Sequence, residues 1–181
     1  MSVPEFYSGK ILYPAIVVLI GLSALFGFTI LPRLNSRQHP LVGQVAPDAA
    51  FPVAANGDEG ARMQISSLRG HTVVLDFWAS YCGPCAIEAP ILDRIARRYE
   101  KDGLVVLGVN IDDSAQVARA YAARKGLSYP IVIDATHEAQ TRYDVDKLPS
   151  LVVIDRKGRV SAYLAGVVDE TALDQIVAAA M

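Results

Sequence analysis

Two cysteines, Cys82 and Cys85, are the only ones in the chain, and they close the run Val73-Val74-Leu75-Asp76-Phe77-Trp78-Ala79-Ser80-Tyr81-Cys82-Gly83-Pro84-Cys85. An apolar strand leads into the pair and a helical pattern follows it. Thiols at i and i+3 across a helix start can close a small ring with little chain motion. The first sulfur falls at the helix N-terminus, where backbone N–H groups and the helix dipole favour its thiolate. The second falls about one turn in and is less exposed. This arrangement suits reversible dithiol–disulfide exchange. Two blander uses compete with it. Half a zinc site lacks its other ligands: there is no second cysteine pair, and His39, His71 and His137 are scattered without ligand spacing. A purely structural bridge over so short a loop restricts the unfolded chain little. Neither a metal nor a cofactor is expected.

The elements that must position the pair follow from periodicity and punctuation. Residues 48–54 and 63–65, around a turn cluster at 56–60, suggest a β-hairpin. Residues 73–78 are a strand of buried type. A helix is expected over 82–101, with Ile87, Ile91, Leu92, Ile95 and Tyr99 at helical spacing and Pro90 predicting a kink. A second buried strand covers 104–111, and Ser114 caps a helix over 115–125 that Gly126 closes. A strand over 129–134, a short helix over 137–143, a strand over 151–154, a hairpin turn at 155–158, a return strand over 160–164 and a last helix over 169–180 complete the pattern. This order predicts an α/β fold, a mixed central sheet flanked by helices, with right-handed βαβ crossovers.

Before this domain, residues 11–31 form an uncharged apolar run of twenty-one residues. As a helix it would span about 31 Å, close to the thickness of a bilayer core. A cleaved secretory signal would have a shorter apolar core and a small-x-small site, so an uncleaved transmembrane anchor is expected. The chain therefore divides into a tail (1–10), an anchor (11–31), a polar, proline-containing linker (32–45) and a globular domain (46–181). Lys10 and the α-amino group oppose Glu5 before the anchor, and Arg33 and Arg37 follow it, so charge gives no support for an N-inside orientation. A net charge of −2 over 181 residues carries no nucleic-acid footprint.

The run FWASYCGPC, a proline at 149, and then a β-hairpin and terminal helix resemble the thioredoxin fold. VGQVAPDAAF, LRGHTVVLDFWASYCGPCAIEAP and LPSLVVIDRKGRV are similar to the membrane-tethered TlpA/ResA branch, over about residues 42–180. The resemblance implies a thioredoxin fold with an N-terminal β-hairpin and a βα insertion. It implies that Cys82 attacks, that Cys85 resolves, and that Gly83 and Pro84 set the turn between them. Asp76 matches thioredoxin's buried acid and Glu88 the acid that ResA-type proteins carry three residues after the second cysteine. Either can accept the Cys85 proton, directly or through water. A structural acid at 76 and an ordinary solvated glutamate at 88 are the alternatives.

Pro149 matches the family's cis-proline, which would expose the Leu148 backbone to an extended substrate. Trp78, expected to pack close beneath the site, and Tyr81, which replaces a more usual tryptophan, complete the expected substrate-binding set. The resemblance further implies a protein-disulfide reductase on the extracytoplasmic side of a bacterial inner membrane. It would act on disulfide-bearing proteins such as apocytochrome c and be re-reduced by a transmembrane thiol carrier of the DsbD/CcdA type. A thiol peroxidase and a non-turnover binding or assembly module are the rival functions. The peroxidase pattern T-x-x-C is not met, because Ala79 stands three residues before Cys82.

Overall fold

The computed structural model describes residues 39–181. The expected tail, the expected anchor and most of the expected linker lie outside the described residues. The elements run β1 (Ala50–Ala55), β2 (Arg62–Gln64), β3 (Thr72–Trp78), α1 (Gly83–Tyr99), β4 (Leu104–Asn110), α2 (Ala115–Lys125), β5 (Ile131–Ile133), α3 (Glu138–Arg142), β6 (Ser150–Ile154), β7 (Val160–Ala165) and α4 (Glu170–Ala180). The strands form one mixed sheet in the order β2-β1-β5-β4-β3-β6-β7. β3, β4 and β5 are parallel, and β6, β7, β1 and β2 join antiparallel to their neighbours.

Every residue of β3 and of β6 is buried, as a strand covered on both faces requires. Local chemistry ends the elements where the sequence suggests. Ser114 Oγ accepts from Val117 N at 3.3 Å, and Gly126 takes a left-handed φ of 67° to close α2. Asp169 caps α4 through Ala172 N. β5 is shorter than the expected 129–134. Pro130 has no N–H for a ladder, and only its carbonyl is used, accepting from Gly108 N at 2.9 Å.

From β3 through β5 the chain crosses the sheet in one direction, so α1 and α2 pack on one face; it turns back to β6 through α3, which packs on the other. α4 returns to the first face, where Leu173 and Val177 belong to the same buried cluster as Leu92 and Ile95.

The linker expected to run to residue 45 is corrected at its end. Gly43 N donates to Val160 O at 2.8 Å, Val160 N to Gln44 O at 3.0 Å, and Val45 bridges Arg159. Leu41 and Val42 pack against the second face. A polar composition concealed these two apolar side chains and the backbone pairing beside them.

Candidate active site

β3 delivers the chain to the turn Ala79-Ser80-Tyr81, and Cys82 is the N-cap of α1. Gly83 and Pro84 occupy the first helical turn and are exposed; a proline there forfeits no helical hydrogen bond. Cys82 and Cys85 are joined in a disulfide. Cys85 N lies 3.2 Å from Cys82 Sγ, with the amide aimed at the sulfur. The two sulfurs are not equivalent. Cys82 lines an open groove of about 420 Å³ with Tyr81, Ile111, Asp112, Gln140, Asp146, Lys147 and Leu148, whereas Cys85 is 3% exposed and turned inward.

Behind the cysteines lie two buried carboxyl groups. Asp76, in β3, sits between Gly108 of β4 and Leu151 of β6. Burial, then the nearby charge of Glu88, push its pKa well above the usual carboxylate range; a hydrogen bond from Tyr129 Oη at 3.5 Å works against them. Gly108, in register with Asp76, leaves room for Ile131, Tyr129 and Trp78. A Cβ there would stand 2.8 Å from Ile131 Cδ1, 3.0 Å from Tyr129 Cε2 and 3.1 Å from Trp78 Nε1.

Glu88 is 1% exposed, so the solvated alternative is set aside. Burial raises its pKa to about 7, against the lowering effect of Val168 N, which donates to Oε1 at 3.1 Å. Its other oxygen, Oε2, has no partner. The apolar face of α1 is rotated from the expected one. Cys85, Glu88, Ala89, Leu92 and Ile95 point inward, while Ile87 is 62% exposed.

Of the four residues expected at a substrate surface, Tyr81 and Leu148 line the groove. The Leu148–Pro149 peptide is cis, and Pro149 is buried with its carbonyl accepting from Gly166 N at 2.8 Å. Trp78 is corrected. It is an interior residue whose ring packs tilted against Tyr121 at 4.7 Å between ring centres, because strand alternation turns it toward the core beneath α1.

Sequence reasoning missed a polar brace beside the site. Asp113 accepts from Ser80 N and Ser80 Oγ, each at 2.7 Å, and from Asn110 Nδ2 at 2.7 Å. Burial raises its pKa, but the hydrogen bonds from Ser80 and Asn110 outweigh that and hold it below the ordinary value. Tyr81 Oη donates to the neighbouring Asp112. Ser80 and Tyr81 lie some thirty residues from these acids in the chain, beyond the reach of any periodic signal.

A parallel-centred mixed sheet, with a cysteine pair at the N-terminus of the first crossover helix and an acid in the strand beneath, defines a thioredoxin-like thiol:disulfide oxidoreductase. Residues 42–163 match the AhpC/TSA family, and the chain belongs to it, alongside the thiol-disulfide oxidoreductases named ResA. The ResA of Geobacillus thermodenitrificans is 31% identical over 160 residues, covering 88% of this chain and 90% of that protein. The ResA of Geobacillus kaustophilus is 32% identical over 150 residues, covering 82% and 84%. Among solved structures, a Chlorobium tepidum protein described as a thiol:disulfide interchange protein DsbE is similar at a TM-score of 0.68 and 31% identity. The match covers 75% of this chain and 94% of that one.

Proposed function

We propose that this chain is a membrane-tethered reductase of protein disulfides on the extracytoplasmic side, working through Cys82 and Cys85. The observation that carries this reading is the asymmetry of the pair. Cys82 opens to a groove at a helix N-terminus, and Cys85 is held under it on the same helical face as a buried glutamate.

In the reduced enzyme the Cys82 thiolate attacks one sulfur of a substrate disulfide. A Cys82–substrate bond forms, the substrate S–S bond breaks, and the released sulfur takes up a proton as a thiol. Cys85 then loses its proton and attacks Cys82 Sγ, forming the intramolecular disulfide and releasing the second substrate thiol. Two electrons pass from the enzyme to the substrate; of the two protons that the substrate thiols gain, one is released by Cys85 and the other comes from solvent, because Cys82 reacts as the thiolate. Near neutral pH Glu88, with a pKa of about 7, is in part ionised and can take the Cys85 proton. Asp76, whose pKa burial and the nearby charge of Glu88 raise, is the second carboxyl that can take that proton. An extended substrate segment lies along the groove past Tyr81 and Leu148.

The apolar run at 11–31 supports a tether, which concentrates the domain near membrane-bound partners such as a thiol carrier that re-reduces it. The resemblance of residues 42–180 to the TlpA/ResA branch supports a role of this kind in cytochrome c maturation. The deciding measurement is the purified chain's reduction potential together with insulin reduction. A potential toward the thioredoxin end, about −270 mV, with insulin reduced is expected; one near the oxidising end, about −120 mV, with no insulin reduced overturns the direction. A C-terminal reporter fusion that is active only in the cytoplasm overturns the sidedness.

A further inference from the structure

We propose that Asp113 is a positioning residue for thiol–disulfide exchange. It acts through Ser80 to pin the turn that carries Cys82, and so sets the contact of the Cys82 sulfur with the first amides of α1. This rests on the exchange function proposed for the site and names a part of it that touches no substrate.

The geometry is fully connected. The Asp113 carboxylate takes both the backbone N–H and the hydroxyl of Ser80 at 2.7 Å, two residues before Cys82. Its own position is fixed from behind by Asn110, which is fully buried at the end of β4. Asn110 Nδ2 donates to Asp113 Oδ2 at 2.7 Å, and Asn110 Oδ1 accepts from Asp113 N at 2.8 Å and from Asp112 N at 3.3 Å. Asn110 is in register with Trp78, the last residue of β3, and Ile111 N donates to Trp78 O at 3.2 Å. The brace thus ties the start of the cysteine turn to the rigid ends of two central strands.

Hydrogen bonds to an ionised acceptor are about twice as strong as neutral ones, and two from one residue fix its orientation as well as its position. Ser80 and Tyr81 are the links between that anchor and Cys82, whose own N–H donates to Ala79 O at 3.1 Å. If the turn slackens, Cys82 Sγ leaves the Cys85 amide, 3.2 Å away, that favours its thiolate.

Bracing and charge act on the thiolate in opposite senses. A carboxylate nearby disfavours a second negative charge, so deleting Asp113 mixes two effects. Ser80→Ala separates them: it keeps the carboxylate and the backbone bond and removes one strut.

The test measures the second-order rate at which the reduced full chain attacks an aryl disulfide as a function of pH, for wild type, S80A, D113A and the double variant. Thermal melts are recorded alongside. S80A is expected to slow attack at neutral pH severalfold and to move the Cys82 midpoint upward. D113A is expected to slow it by about tenfold to a hundredfold, the scale of a small misplacement of a reacting group. In the D113A background, S80A is expected to add nothing, because the two act as a unit. Wild-type rate and midpoint in S80A overturn the proposal even where D113A does not fold, and so do effects of S80A and D113A that multiply independently. A wild-type chain that attacks no disulfide sinks the exchange function itself, which is a different result.

Discussion

The two faces of the sheet are built from alternate residues of the same strands, and they are built differently. β3 sends Val73, Leu75 and Phe77 to the face beneath α3, and Val74, Asp76 and Trp78 to the face beneath α1. On the α3 face the large side chains are apolar and the polar handles are met. Phe77 packs on Tyr143 at 5.7 Å, and Tyr143 Oη donates to Pro47 O at 2.6 Å. On the α1 face two carboxyl groups are buried. Among the described residues, Trp78 Nε1, Glu88 Oε2 and Tyr121 Oη, the buried side-chain atoms without a partner, all belong to this face. Burying an unpaired polar group costs free energy that a well-packed core avoids. One face is therefore shaped for stability, and the other gives some of it up to hold titratable groups next to a disulfide.

The sharpest way to test this division is to damage each face once. Cys82→Ser is expected to abolish turnover in insulin reduction while shifting the thermal midpoint little, since the disulfide closes only a short loop. Phe77→Ala, on the far face, is expected to cost about 3–5 kcal/mol of stability, read by denaturant unfolding. The exchange rate per folded molecule is expected to stay near wild type. A Phe77→Ala chain that remains stable but loses its exchange rate would erase the division.

A smaller effect separates the two acids from their apolar neighbours. Asp76→Asn and Glu88→Gln each leave one carboxyl to receive the Cys85 proton. Each is expected to slow the resolving step modestly, and the double variant by about a hundredfold or more, the scale of general-base loss. Release of the second substrate thiol from a preformed mixed disulfide measures that step. Because Glu88 raises the pKa of Asp76, Glu88→Gln is also expected to move the Asp76 titration to lower pH, visible in its carboxyl carbon shift. An unmoved Asp76 titration would mean that the two groups do not sense one another.

How far these features were legible in the chain depends on whether the signal was local. The strand through Asp76, the Ser114-to-Gly126 helix and the 155–158 hairpin turn declare themselves through runs, caps and turn residues within a few positions. Asp76 stood out because a carboxyl in an apolar strand is expensive. Glu88 did not, because a glutamate on a helix is ordinary. Its burial follows from sharing a stripe with Leu92 and Ile95, and the exposed Ile87 and half-buried Ile91 drew the apolar face toward the wrong side. The Ser80–Asp113 half of the brace had no local signature. It exists only once β3 and β4 lie side by side, which brings Ser80 to an acid thirty-three residues later.

The least drastic probe of the same contrast is pH, with no residue changed. Burial lifts Glu88 from an ordinary 4.5 to about 7 in the folded chain. Between those values the folded state keeps a proton that the unfolded state has released. Stability must therefore be fully present below pH 4.5, fall as pH rises toward 7, and level off above it, by up to about 3 kcal/mol for this one group. Asp76, raised by burial and by Glu88, contributes with the same sign and extends the decline. Tyr143, buried on the α3 face, contributes nothing in this window, since burial pushes it above its ordinary range. Denaturant unfolding of the oxidised chain at a series of pH values is expected to show this decline, and Glu88→Gln is expected to flatten most of it. A stability that instead rises from pH 5 to 7, as for a chain whose acids are salt-bridged, would mean that the α1 face does not hold its carboxyl groups neutral.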